Sequence, residues 1–267
     1  MTTLPTHTLV AFNTATASEN KIHDDEVAGA LGFGGGLVPG VDVYAYLCHP
    51  ALAHWGCDLL TRGVTEVRFD SPVYDGETVE IRAELADGVI TAEIHSPAGV
   101  PATLRAHLDD DPATPPTTRA AAAPPPDERP PASPDSLVAG AALGSFDFGV
   151  DRQHQTAYLR DIRDDDSPVA ELGLVHPGTL LRQANFILST NVLLGPWIHV
   201  GSVAHHLAPV AVDEVVSVQG VVKANYEHKG HRFIDVDVVM VGADGAPRCW
   251  LEHRAIYEPR QVRQMAG

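Results

Sequence analysis

The chain has 267 residues, with 18 Lys and Arg against 35 Asp and Glu and a formal charge of −17. A field of that sign argues against a nucleic-acid partner, whose phosphates need clustered cations, and against an anionic membrane surface. Hydrophobic residues at 44% and charged ones at 20% exclude a chain disordered by composition.

In chain order, a short strand is expected near Thr8–Asn13. A glycine-rich stretch, Gly32 to Gly36, then leads into a helix over Val41–His54. Val41, Ala45, Cys48 and Leu52 form one apolar face of it. Tyr44 and Leu47 lie off that face, the mark of a helix buried nearly all round. Thr78–Leu85 alternates cleanly, with Val79, Ile81, Ala83 and Leu85 on one side, so it reads as a half-buried strand. Asp87-Gly88 supplies a hairpin turn. Between Pro112 and Pro134, nine of 23 residues are proline, the composition of an extended linker. Beyond it the order repeats. A short strand is expected over Gln155–Arg160 and a helix over Thr179–Leu194, with Leu181, Ala184, Leu188 and Val192 on one face. Ile234, Val236 and Val238 alternate with Asp235 and Asp237, after a turn at His228-Lys229-Gly230.

The two parts share short matches at one spacing. Gly36-Leu37-Val38 recurs as Gly173-Leu174-Val175, and Pro72-Val73 recurs as Pro209-Val210, both offset by 137 residues. An internal duplication follows, with one half over 1–111, the linker over 112–134 and the other half over 135–267. Each half reads as strand, loop, buried helix and antiparallel meander. The expected fold is α+β: a double hot-dog, two antiparallel sheets each wrapped around a central helix and joined edge to edge as a pseudo-dimer. Homodimerisation of such chains stays open.

One segment carries chemistry. It runs Ser18-Glu19-Asn20-Lys21-Ile22-His23-Asp24-Asp25, then Ala28, Gly32-Phe33 and Gly40. It resembles the hydratase motif of MaoC-like proteins, the (R)-specific enoyl-thioester hydratases and dehydratases, with one residue fewer before Gly32. The resemblance implies that His23 is a general acid/base and Asn20 orients the loop. It implies that the N–H groups of Gly40 and Val41, opening the central helix, hold the thioester oxygen, where unpaired donors and the helix dipole favour negative charge. The family's catalytic aspartate falls on Ser18, and Glu19 and Asp25 are the neighbouring carboxylates. The implied substrate is an acyl thioester of coenzyme A or an acyl carrier protein, with no cofactor and no metal. Three functions stay open at this point: hydration or dehydration at a 2-enoyl or 3-hydroxyacyl thioester, thioester hydrolysis, and non-catalytic binding of the thioester.

Other features read as structural. Cys48, Cys57 and Cys249 are odd in number and lack zinc-ligand spacing. Asp164-Asp165-Asp166 reads as a solvated charge run. His205-His206 lies in an expected strand, where adjacent rings face opposite sides and do not share an ion. No apolar run follows Met1, and none reaches the ~18 residues of a spanning helix, so a soluble, cytoplasmic protein without membrane association is expected.

Overall fold

A computed structural model describes residues 1–16, 18–30, 32–116 and 123–266. Residues 117–122 of the proline-rich segment lie outside the described residues. The first half opens with β1 (Thr2–Thr3) and β2 (His7–Val10), a single 3-10 turn (Lys21–His23) and the short helix α1 (Asp25–Ala30). The long helix α2 (Gly40–Trp55) and α3 (Asp58–Arg62) follow. Then come β3 (Gly63–Phe69), β4 (Thr78–Ala86), β5 (Val89–Ser96) and β6 (Gly99–Leu108). The second half runs β7 (Ala142–Gly149), α4 (Arg152–Asp161), α5 (Pro168–Leu172) and α6 (Pro177–Ser189). It ends with β8 (Ile198–His206), β9 (Val215–His228), β10 (His231–Gly242), β11 (Pro247–Glu258) and α7 (Arg260–Ala266).

All the strands join one antiparallel sheet, in the order β1-β4-β5-β6-β3-β8-β11-β10-β9-β7, with β2 also on β4. The halves meet where β3 pairs β8, and the midpoint of that pairing sets Glu66 opposite Val203. Those two residues are themselves 137 apart, so the junction is its own pseudo-twofold image. The same offset relates two isolated bridges, Leu37 to Tyr74 and Leu174 to Ala211. It also relates two turn bonds, the N–H of Tyr74 on the carboxylate of Glu77 and the N–H of Ala211 on that of Glu214. This edge pairing consumes one sheet edge from each half, which would otherwise stand open to other chains.

Each central helix packs against the strands of its own half-sheet. Val41, Ala45, Cys48, Leu52, Tyr44 and Leu47 are all buried, as the near-continuous apolar run of α2 requires. On the strands, Val79, Ile81 and Ala83 of β4 and Ile234, Val236 and Val238 of β10 face the same core. Both expected hairpins close on left-handed residues, Asp87 (φ 51°) with Gly88 (φ 77°) and Lys229 (φ 51°) with Gly230 (φ 81°). Two residues with positive φ give the turn whose twist matches the flanking strands.

Two expectations for the second half need correction. Gln155–Arg160 is not a strand but the middle of α4, and β7 is the strand that precedes the central helix. Asp151 caps α4 by accepting the N–H of His154, and Gln155 and Leu159, one turn apart, bury a helical face. The helix expected to reach Leu194 stops at Ser189. There Asn191 donates to the carbonyls of Ile187 (2.9 Å) and Gly144 (2.9 Å) and ties the helix end to β7. Within the proline-rich segment, Ala132 donates to Leu193 and Leu193 to Pro130, so residues 130–132 lie along the end of the second half.

Buried histidines make this fold sensitive to acid. Burial pushes His206 down to about 4 and His253 down to about 3. The unfolded chain therefore binds protons between pH ~6.5 and ~4 that the folded chain refuses, and stability falls as pH drops through that window. For His206 alone the loss at its lower end is on the order of 3 kcal/mol. Denaturant midpoints measured from pH 7 to pH 4 check this. A flat profile contradicts it.

Candidate active site

The segment singled out from the sequence folds over the N-terminus of α2. Its asparagine does the fastening. Asn20 donates its side-chain amide to the carbonyl of Trp197 (3.1 Å) and accepts the N–H of Trp197 (3.3 Å), a bidentate clasp on the second half. The same oxygen lies 3.4 Å from the backbone nitrogen of Ile22 and caps the 3-10 turn Lys21–His23. A local loop in the first half is thus held by a residue 177 positions away.

His23 is oriented by one hydrogen bond. Its Nδ1 lies 2.7 Å from the carbonyl of Leu37, which can only accept, so Nδ1 carries the proton and Nε2 keeps a free lone pair. Burial lowers its pKa below the usual histidine value, although the Leu37 carbonyl and Asp42 work the other way. The ring is neutral at pH 7 and able to accept a proton.

Two cavities meet at this residue. One, of about 270 Å³, is largely apolar and includes Phe33, Val43, Trp197 and Ile256 in its wall, together with Gly40 at the start of α2. The other, of about 480 Å³, is more polar and reaches Ser18, Glu19, Val41 and Arg129. Asn20, His23, Pro39, Asn185 and Trp197 line both. Gly40 and Val41 open α2 after Pro39, and the first-turn N–H groups of a helix have no acceptor within it. The four residues expected around a thioester, Asn20, His23, Gly40 and Val41, are therefore together.

The remaining three are placed otherwise. Ser18 accepts the N–H of Asn20 at its hydroxyl (3.1 Å) and lines only the polar cavity. Glu19 is turned to Arg129, whose guanidinium lies 2.9 Å away and holds its pKa below the usual range. Asp25 accepts the N–H of Gly36 (2.7 Å) and lines neither cavity. It pins the glycine loop. Gly36 has to be glycine, because a Cβ there would lie 2.4 Å from the carbonyl oxygen of His23.

Sequence inspection missed the second half's share of the site. Asn185 of α6 lines both cavities, and its side-chain oxygen has no hydrogen-bond partner. His199 of β8 lines the apolar cavity. Neither stands in a motif, so only the junction of the halves reveals them. Between the helices, the buried carboxylate of Asp42 receives Thr14 (2.6 Å) and Arg182 (2.5 Å), which ties α2 to α6 beside His23.

The acidic run also needs correction. Asp165 and Asp166 are exposed, but Asp164 is buried. His49 donates to it (2.6 Å) and His176 Nε2 stands 3.2 Å from its other oxygen. Burial alone would raise the pKa of Asp164; the two histidines outweigh it and hold the group well below the carboxylate range. His176 caps α6 with Nδ1, which accepts the N–H of Gly178 (3.0 Å), and it is fully buried. It stands 137 residues after Pro39, the cap of α2, so this cluster fills the place in the second half that the loop of His23 occupies in the first. Among the described residues no group of three His, Cys, Asp or Glu is placed to hold a metal ion, and no helix is long and apolar enough to cross a membrane.

No family model and no curated protein matches the chain. Solved structures do. A protein of Chloroflexus aurantiacus described as a MaoC domain protein dehydratase superposes with a TM-score of 0.65 at 12% identity, over 96% of this chain and 95% of that one. A conserved hypothetical protein of Mycobacterium tuberculosis, described as having a double hotdog fold, gives 0.62 at 15% identity, over 96% of each chain. One of Lactobacillus plantarum described as an oleoyl thioesterase gives 0.54 at 10% identity, over 97% of each. The likeness is one of fold, and that fold carries proteins described as dehydratases and as thioesterases. This chain has a double hot-dog fold, the fold of the MaoC-like dehydratases.

Proposed function

We propose that this protein hydrates 2-enoyl thioesters, or dehydrates 3-hydroxyacyl thioesters, carried by coenzyme A or an acyl carrier protein. One observation carries the proposal: a neutral His23, with Nε2 free, stands where an apolar and a polar cavity meet at the N-terminus of α2. An acyl chain suits the apolar cavity and the polar arm of its carrier suits the other.

The chemistry balances on one imidazole. Nε2 of His23 takes a proton from water as the water oxygen bonds to C3. The C2–C3 π electrons move onto the thioester oxygen, where the N–H of Gly40 and the dipole of α2 hold the negative charge. The enolate then collapses, and C2 takes the proton from His23. Water has been added and the enzyme is restored. Dehydration is the reverse. With Ser18 at the family's aspartate position, His23 handles both proton transfers.

The hydrolytic alternative needs a carboxylate to activate water against the thioester carbonyl. Asp25 is committed to Gly36 and Glu19 to Arg129. Crotonyl-CoA separates the outcomes. Loss of the enoyl absorbance without release of thiol is expected. Release of free thiol means hydrolysis, and binding with neither change means a non-catalytic protein; both refute the hydratase proposal.

A further inference from the structure

Beneath the N-terminus of α2 lies a buried relay of three polar side chains. His199 Nε2 is 2.8 Å from the hydroxyl of Ser202, and that hydroxyl is 3.0 Å from Nδ1 of His253. The His199 ring is wedged between Phe69 (centroids 4.7 Å apart) and His253 (4.4 Å). It is 9% exposed, and it lines the apolar cavity together with His23 and Gly40. Its Nδ1 has no hydrogen-bond partner. That atom sits against Gly40: a Cβ built there would lie 3.0 Å from it.

An unpartnered buried ring nitrogen is costly to keep, so its retention at a cavity wall marks a place that a ligand completes. Both rings are neutral. Burial and the neighbouring His253 ring lower His199 well below the usual histidine value, against a smaller opposing hydrogen bond from its ring to the backbone of Gly201, and burial takes His253 to about 3. A neutral ring has one N–H, and one hydroxyl has one proton, so the chain of three has two arrangements. In one, His253 Nδ1–H donates to Ser202, Ser202 donates to His199 Nε2, and His199 Nδ1–H points out of the relay beside Gly40. The other reverses every bond and leaves Nδ1 as an acceptor. A thioester oxygen can only accept, so its arrival selects the first.

Resting on the thioester reading above, we infer that His199 is a catalytic residue whose Nδ1–H gives the thioester oxygen a second hydrogen bond beside the N–H of Gly40, with Ser202 and His253 positioning it. A neutral imidazole suits this work, because it polarises the carbonyl without protonating it. The role does not depend on Ser18, and the donor comes from the half that lacks the hydratase-like loop.

The test uses crotonyl-CoA labelled with carbon-13 at the thioester carbonyl, bound to full-length His23→Ala protein, in which the proposed mechanism slows turnover by about 10²–10⁴. The carbonyl stretch is read by difference infrared spectroscopy. A band displaced to lower frequency than in water is expected. Adding His199→Phe, which keeps the ring packing and removes the donor, should move it part of the way back, and Ser202→Ala should move it in the same direction. In proteins that retain His23, His199→Phe should lower kcat by about 10²–10³ with a smaller change in KM. A band unmoved by both substitutions overturns the role of His199 and leaves the thioester site standing. No displacement in the His23→Ala protein itself, or no binding, overturns the thioester site and this role with it. If His199→Phe does not fold, the Ser202→Ala band decides.

Discussion

His23→Ala should lower turnover of crotonyl-CoA by about 10²–10⁴, the usual worth of a positioned general acid/base, while the thermal midpoint stays close to that of the parent. The ring makes one hydrogen bond, to Leu37, and lines cavities rather than filling the core, so its removal costs chemistry more than packing. Because burial lowers its pKa, the base form persists below neutral pH. The acid limb of kcat/KM should therefore fall below the ordinary histidine value of ~6.5. Full activity in His23→Ala removes the residue from the mechanism.

Asp164→Ala should destabilise the fold by about 3 kcal/mol at pH 7, because it strips the shared acceptor from His49 and His176 in a buried cluster. His7 stacks on His49 (3.9 Å), so the loss extends to the first strands. The sign with pH is set by the depressed carboxyl. Its contribution is complete above the unfolded carboxylate pKa of ~3.9 and is lost only as pH falls through the lower folded value. The difference between parent and variant should not shrink between pH 7 and pH 5 in urea titrations. A difference within about 0.5 kcal/mol would return Asp164 to the class of solvated surface charges.

Local patterns carried much of the molecule. The alternation of Thr78–Leu85, the apolar run of α2, both hairpin turns and the offset of 137 residues were legible in the chain because each depends on neighbours in sequence. The error at Gln155–Arg160 has the same root. Six residues there suit a strand or a helix, and the cap that decides, Asp151, lies outside them. The early end of α6 was illegible because Asn191 stops it by reaching across to Gly144.

For the site the division is sharper. The chain by itself determined the duplicated double hot-dog and the order Asn20, His23, Gly40, since the loop, the turn and the helix start are contiguous. Tertiary structure decided everything that comes from the second half. Trp197 holds Asn20, Asn185 lines both cavities, and His199 lies against Gly40, at sequence separations that no periodicity spans. It also decided that one acidic residue of three is buried. Burial and charge pairing are properties of the packed chain, set by which surfaces meet when β3 joins β8, and a linear pattern records only what each half prepares for that meeting.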